Sequence, residues 1–300
     1  MIHMMNVSKQ FGSLAAVKNI SLSVQAGEIF GFVGPDGAGK TTTMRMLIGI
    51  LTASAGVITV MNKTKLEQIK PYIGYVPQKF SLYGDLTVME NIRLVGSLYG
   101  ASQAEIKRQA EEILKFTNLW PFQDRLADKL SGGMKQKLAL AAGLMHEPEL
   151  FFLDEPTTGV DPVSRREFWQ MLYGLNKTGM TVVVSTPYMD EAELCTRIAF
   201  FNSGKVVACD TPQQLKQNYP YRILEIRTES KDIRRHLSAC PVIDVNTFGE
   251  AYHVVVKELA SAKTAIEAAL KDAGISAFAI REVKPTLEDV FVYLADDEVS

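Results

Sequence analysis

Gly34-Pro35-Asp36-Gly37-Ala38-Gly39-Lys40-Thr41, followed by Thr42, spells GxxxxGK[ST] between an apolar run and a helical pattern. Glycines let the backbone curl tightly enough to aim several N–H donors at one anion. The helix that follows adds free N-terminal amides and the positive end of its dipole. Lys40 can supply a cation for β- and γ-phosphates, and the Thr41 hydroxyl can ligate Mg²⁺. A purely structural Gly-rich turn would have no use for Lys40 and Thr41. The stretch therefore reads as a triphosphate cradle, with Gly34, Pro35, Asp36, Gly37, Ala38, Gly39, Lys40, Thr41 and Thr42 as its candidate residues.

The flanks agree. Ile29–Val33 is apolar throughout and reads as a buried strand. Thr41–Leu51 reads as a helix with Met44, Leu47, Ile48 and Leu51 on one face. Strand signals recur at Val57–Met61, Ile73–Val76, Leu150–Leu153 and Thr181–Ser185. Phe200–Ala208, broken at Asn202-Ser203-Gly204, reads as a hairpin. Between Gln78 and His146 only helical patterns occur, at Glu90–Leu98 and Ala104–Phe116, so residues 79–146 read as a helical insertion. Short β runs alternating with helices predict an α/β fold with a largely parallel sheet. Near Tyr219 the character changes. Arg222–Arg227, Ala251–Lys257 and Ser276–Arg281 read as strands, Ser261–Asp272 as an amphipathic helix, and Leu287, Val290, Phe291 and Leu294 as a last apolar stripe. The expected domains are 1–217 and a small α+β domain, 218–300.

Two further motifs carry chemistry. Leu150-Phe151-Phe152-Leu153-Asp154-Glu155 is an apolar strand ending in two acids, the placement expected of a site at the carboxyl edge of a parallel sheet. Asp154 can hold Mg²⁺, and Glu155 can take a proton from an attacking water. Leu130-Ser131-Gly132-Gly133-Met134-Lys135-Gln136 opens another helix. Ser131 is a good N-cap, and Gly132 and Gly133 would leave bare amides facing an anion. An ordinary capped helix does not explain two glycines in its first turn, where each costs ~1 kcal/mol.

Taken in order, these motifs resemble the ATP-binding cassette family over about residues 1–215. GPDGAGKTT resembles its Walker A loop, LSGGMKQK its signature, and LFFLDEP its Walker B strand. Gln78 is similar to the glutamine that watches Mg²⁺ and the γ-phosphate, Gly159-Val160-Asp161 to the D-loop, and Phe11 to an aromatic that stacks on adenine. The resemblance implies a P-loop NTPase core with an antiparallel β subdomain, ATP and Mg²⁺ as cofactors, and Thr41, Gln78 and Asp154 around the metal. It also implies Glu155, Gln78 and Lys40 as catalytic groups. Nucleotide sites would form between two ATPase subunits, with Ser131, Gly132, Gly133 and Asp161 serving the partner's nucleotide. Leu82-Tyr83-Gly84-Asp85-Leu86 and Tyr188-Met189-Asp190-Glu191-Ala192 look like export-type cassettes, so transmembrane permease subunits are expected partners, with Leu82, Tyr83 and Leu86 as contacts. The ending Pro285-Thr286-Leu287-Glu288-Asp289-Val290-Phe291 is similar to the accessory domain of such subunits.

Two departures stand out. Such cassettes usually carry a switch histidine before Tyr-Met-Asp-Glu-Ala; here Pro187 stands there, without a side-chain donor or a backbone N–H. None of His3, His146, His236 and His253 lies in a motif that replaces it, and His146 reads as an exposed helix-end residue. Asp36 replaces a common Asn and is expected to point outward. The expected consequence is a site of its own that is slow or silent, with an intact signature helix completing the site of a second, non-identical ATPase; the alternative is a homodimer in which Glu155 and Gln78 suffice.

Composition bounds the alternatives. Thirty-two basic residues against 34 acidic ones give a formal charge of −2, and no basic excess argues for nucleic acid as partner. A DNA- or ribosome-directed cassette would be expected to carry a coiled-coil insertion or a second cassette, and an ATP sensor would not need Glu155. No apolar run reaches the ~18 residues of a membrane span, no secretory leader is read, and Cys195, Cys209 and Cys240 have no metal spacing. The expectation is a cytoplasmic subunit, peripheral on the membrane.

Overall fold

The computed structural model describes residues 1–230, 232–275 and 278–296. The chain divides into two compact units, Met1–Pro212 and Gln213–Ser300.

The first unit opens with β1 (Ile2–Phe11) and β2 (Leu14–Val24), which pair antiparallel; β4 (Ala55–Val60) joins the other edge of β1. Neither β1 nor β2 is a clean alternating run. Register shifts and left-handed Asn6 (φ 51°) and Asn19 (φ 53°) interrupt the period of two on which a sequence reading depends.

The second sheet has the order β5-β6-β7-β3-β8-β9. Its strands are β3 (Ile29–Val33), β5 (Ile73–Val76), β6 (Leu150–Asp154), β7 (Thr181–Thr186), β8 (Arg197–Asn202) and β9 (Lys205–Asp210). All neighbours are parallel except the β8–β9 hairpin. A parallel sheet is covered on both faces, which is why β3, β6 and β7 are buried along their whole length. Phe30, Phe32, Phe152 and Phe201 pack into one core with Ile20, Met44 and Leu47. On the other face the Phe151 ring sits between glycines. A Cβ on Gly74 would come within 2.4 Å of that ring, and one on Gly143 within 2.6 Å. The glycine backbones offer no side chains that could collapse into a void. Phe151→Ala should therefore lower stability by about 3–5 kcal/mol in urea unfolding, while conservative Phe151→Leu retains more than half of it.

Helix α1 (Lys40–Leu47) is shorter than the apolar stripe to Leu51 predicts. Gly49 adopts φ +74°, and the Ile50 and Leu51 N–H groups turn back to the Arg45 carbonyl, which closes the helix. The insertion carries α2 (Val88–Leu98), α3 (Gln103–Phe116) and α4 (Gly132–Leu144). Reciprocal capping boxes, Thr87/Glu90 and Ser102/Glu105, start the first two. Val88, Ile92, Ile106, Ala110, Leu114, Leu138 and Met145 form their shared core. Fully buried Asn91 ties the preceding loop down: its amide donates to the Tyr83 and Thr87 carbonyls and its oxygen accepts from the Tyr83 N–H. Helices α5 (Pro162–Lys177) and α6 (Met189–Ala192) flank β7 in sequence, and α7 (Pro212–Gln217) follows β9. No described helix is long and apolar enough to cross a membrane.

In the second unit, β10 (Arg222–Thr228), β11 (Val242–Phe248), β12 (Ala251–Val256) and β13 (Phe278–Val283) form an antiparallel sheet ordered β11-β12-β10-β13. Strand β11 is an addition to the sequence reading. The expected start of the last strand, Ser276, lies outside the described residues. Helix α8 (Leu259–Asp272) buries Ala262, Ile266 and Leu270 against Leu224, Ile226, Val254 and Val256. Helix α9 (Leu287–Asp296) carries the last apolar stripe and begins beside Thr286, whose N–H and hydroxyl both donate to Asp289.

Candidate nucleotide-binding site

The Gly34–Gly39 loop leaves the carboxyl end of β3, and Lys40 opens α1. Two glycines are required by close approach as well as by φ. At Gly34 (φ +154°) a Cβ would lie 2.2 Å from the Phe201 carbonyl oxygen; at Gly39 (φ +101°) it would lie 2.7 Å from that of Ala16. Asp36 is exposed, as are its neighbours Pro35 and Gly37. Lys40 is 3% exposed. Its ammonium donates to the Gly34 and Pro35 carbonyls at 2.7 and 3.0 Å and pairs with Glu155 Oε1 at 3.3 Å.

At the end of β6, Asp154 is 1% exposed. Its Oδ1 accepts from the Thr41 hydroxyl at 3.0 Å and the Ser185 hydroxyl at 2.6 Å. Its Oδ2 is buried with no hydrogen-bond partner. A buried carboxylate oxygen left so is costly unless a cation compensates it. Thr41 and Asp154 therefore fit a Mg²⁺ ion, which typically takes one or two carboxylates and completes its shell with phosphates and water. No cluster of three His, Cys, Asp or Glu side chains occurs among the described residues, so no all-protein metal cage competes with this site.

Glu155 holds a left-handed φ of 49°, a conformation that costs a non-glycine residue of order 1–3 kcal/mol. Its N–H is anchored to the Ser185 carbonyl and hydroxyl at 3.1 and 3.0 Å, which overdetermines the turn. Its Oε2 accepts from the Gln78 amide at 2.9 Å. Lys40, Thr41, Gln78, Asp154 and Glu155 thus converge on one place, with Ser185 as an organiser that the sequence reading missed. The available signal was a polar residue at the carboxyl end of an otherwise apolar parallel strand.

The remaining candidates sit at the helix starts and strand end of other elements. Ser131 caps α4, accepting from the Met134 N–H at 3.3 Å, and its carbonyl serves Lys135 of the same helix. A Cβ on Gly133 would strike Ser164 of α5 at 2.6 Å, so helix–helix contact demands that glycine; Gly132, with nothing nearer than 3.9 Å, is the open one. Asp161 caps α5 through the Val163 and Ser164 N–H groups, and the Ser164 backbone bond holds its carboxyl below the usual range. Phe11 ends β1, 46% exposed, with the Lys9 ammonium 5.0 Å from its ring centre. His146 departs from the expected exposed position. It is half-buried, stacked on Tyr99 at 3.9 Å, with Nε2 bonded to the Ile73 carbonyl at 2.8 Å; burial pushes its pKa down. No side-chain donor stands at position 187, which is a proline in the loop between β7 and α6.

Known proteins carry the same plan. An ABC transporter family model matches residues 17–158, and the C-terminal domain model of DrrA1-3-like ATP-binding proteins matches residues 211–295. The chain is 40% identical over 286 residues to the probable multidrug ABC transporter ATP-binding protein YbhF of Escherichia coli (strain K12), covering 93% of this chain and 49% of that one. It thus spans about half the length of that relative. It is 41% identical over 222 residues to the linearmycin resistance ATP-binding protein LnrL of Bacillus subtilis (strain 168), covering 72% and 70%. To the Nod factor export ATP-binding protein I of Rhizobium sp. (strain N33) it is 34% identical over 303 residues, covering 99% and 98%. Among solved structures, a dimeric post-hydrolysis state of the cassette MJ0796 bound to ADP and Pi superposes with TM-score 0.65 at 30% identity, covering 70% of this chain and 98% of that one. Matched motif by motif, and nearly end to end with an ATP-binding protein of its own length, the chain belongs to the ATPase family of ABC transporters.

Proposed function

We propose that the chain is the ATP-hydrolysing subunit of a membrane exporter, working as one half of a head-to-tail pair of cassettes. The convergence of Lys40, Gln78 and Glu155 beside a buried, half-satisfied Asp154 supports this reading. The relatives named for multidrug transport, linearmycin resistance and Nod factor export favour the export direction.

In this mechanism the amides of Gly37–Lys40 bind the phosphates, and Lys40 exchanges its contacts with the Gly34 and Pro35 carbonyls for the β- and γ-phosphate oxygens. Thr41 and Asp154 Oδ2 would hold Mg²⁺, with Gln78 beside them; the ion supplies charge neutralisation on the phosphates. Glu155 takes the proton of the attacking water. Phe11 stacks on adenine. Ser131 and Gly132 open a helix whose free amides serve a nucleotide on the partner cassette, and Asp161 faces the same junction. The groove bordered by Leu82, Tyr99 and His146, with exposed Tyr83 and half-buried Leu86 nearby, receives a helix of a transmembrane permease. Pro187 leaves the γ-phosphate without one donor, so the chain's own site is slow and its favoured partner is a second, non-identical cassette.

A sizing experiment tests the head-to-tail arrangement. With no second cassette present, Glu155→Gln protein should pair with itself in ATP and remain monomeric with ADP, and adding Gly132→Asp, a carboxylate at the signature helix start, should abolish the dimer. ATP-independent dimers, or dimers indifferent to Gly132→Asp, would overturn it.

A further inference from the structure

Glu191 is a buried carboxylate that the mechanism above leaves without a part. It lies in α6, 1% exposed, and both of its oxygens are engaged. The Thr157 hydroxyl donates to Oε1, and the Thr186 hydroxyl donates to Oε2 at 2.6 Å. Arg165 of α5 forms an ion pair with Oε1, its Nε 3.4 Å away in contact rather than hydrogen-bond geometry. Both threonines are themselves 1% exposed or less.

The placement of those threonines matters. Thr157 lies two residues beyond Glu155, in the turn leaving β6. Thr186 ends β7, immediately before Pro187. The β6–β7 ladder stops at Asp154 and Ser185. Past that point the Glu155 N–H still reaches Ser185, and Glu191 is a further tie that carries the two turns on side by side. It also shapes the loop around Pro187: the Thr186 hydroxyl accepts from the Tyr188 N–H at 3.1 Å, and the Arg165 guanidinium lies 4.5 Å from the Tyr188 ring centre. Arg165 stands one turn into the helix that Asp161 caps.

We propose that Glu191 is a positioning residue for ATP hydrolysis, fixing the turn that carries Glu155 against the Thr186–Tyr188 loop. This rests on the reading of Glu155 as the proton acceptor. A carboxylate buried for fold stability alone needs only to be satisfied. Here the partners are drawn from the turn that carries Glu155 and the loop that carries Pro187, and on the proposed reading displacements of about 1 Å there change rate.

Single-turnover hydrolysis, with protein in excess over Mg-ATP, reads slow rates directly. Thr157→Val and Thr186→Val should each lower the rate about tenfold while ATP affinity changes less than about twofold. The double variant should be no slower than either single, because both act through one carboxylate. Thr157→Ser and Thr186→Ser, which keep the hydroxyl, should restore the rate. Unchanged rates with a lowered Tm, losses that appear in affinity, or losses that multiply in the double variant would each overturn the proposal. Should Thr186→Val not fold, Thr157→Val against Thr157→Ser decides alone. Glu155→Gln, run alongside, separates the two readings: a rate unaffected by it removes the general base, whereas a rate it abolishes with both valine variants normal removes only the tie.

Discussion

Pro187→His should raise steady-state Mg-ATP hydrolysis by about 10²–10³-fold, the magnitude by which removing one preorganised donor slows a reaction of this kind. Proline at this position offers no N–H and no polar side chain. The loop is otherwise set: Thr186 and Tyr188, on either side, are held by the hydroxyl and guanidinium contacts around Glu191. A histidine introduced between them inherits an ordered backbone. The loss of proline's rigidity costs only about 0.4–1 kcal/mol, felt in Tm and not in rate. Phosphate release by the purified chain checks the result, and Glu155→Gln in the same background should erase the gain. A wild-type protein that already turns over briskly, unmoved by Pro187→His, would show that Gln78 and Glu155 suffice and that no second, non-identical cassette is needed.

The residues legible in the sequence are those whose chemistry is contiguous. The Gly34–Thr41 loop announces itself because strand, glycines, lysine and helix adjoin along the chain. Asp154 and Glu155 are legible because two acids end an apolar strand. What stayed hidden depends on pairs brought together only by folding. Ser185 meets Asp154 and Glu155 across the β6–β7 ladder, and Glu191 meets Thr157 across 34 positions. A Ser and a Glu in ordinary surroundings carry no mark of such partners. Gly133 reads as part of an anion site, and the side chain of Ser164 adds a packing reason for a glycine there that the sequence does not show. His146 looks exposed because it ends a helix, yet Tyr99 covers it. Strand β1 escapes a period-of-two reading because its bulges break the alternation.

Asp154→Asn should cut hydrolysis by about 10²–10⁴-fold, equivalent to the several kcal/mol that a divalent ion contributes to phosphoryl transfer. The two carboxylate oxygens have different surroundings, and this gives the variant a distinctive signature. Oδ1 serves two hydroxyls, and a hydroxyl can rotate to suit an amide oxygen there. The amide NH₂ then falls at Oδ2, the buried atom without a partner, where it cannot ligate a cation. Without Mg²⁺ the variant should be no less stable than wild type, since neutralising a buried, half-satisfied carboxylate offsets the amide donors left there without acceptors. With Mg-ATP the order should reverse, because wild type gains the ligand's binding free energy and the variant loses the metal's share of it. Thermal unfolding with EDTA and with Mg-ATP measures both halves. Equal Mg-dependent shifts in the two proteins would place the ion elsewhere and leave Asp154 as an organiser of Thr41 and Ser185 alone.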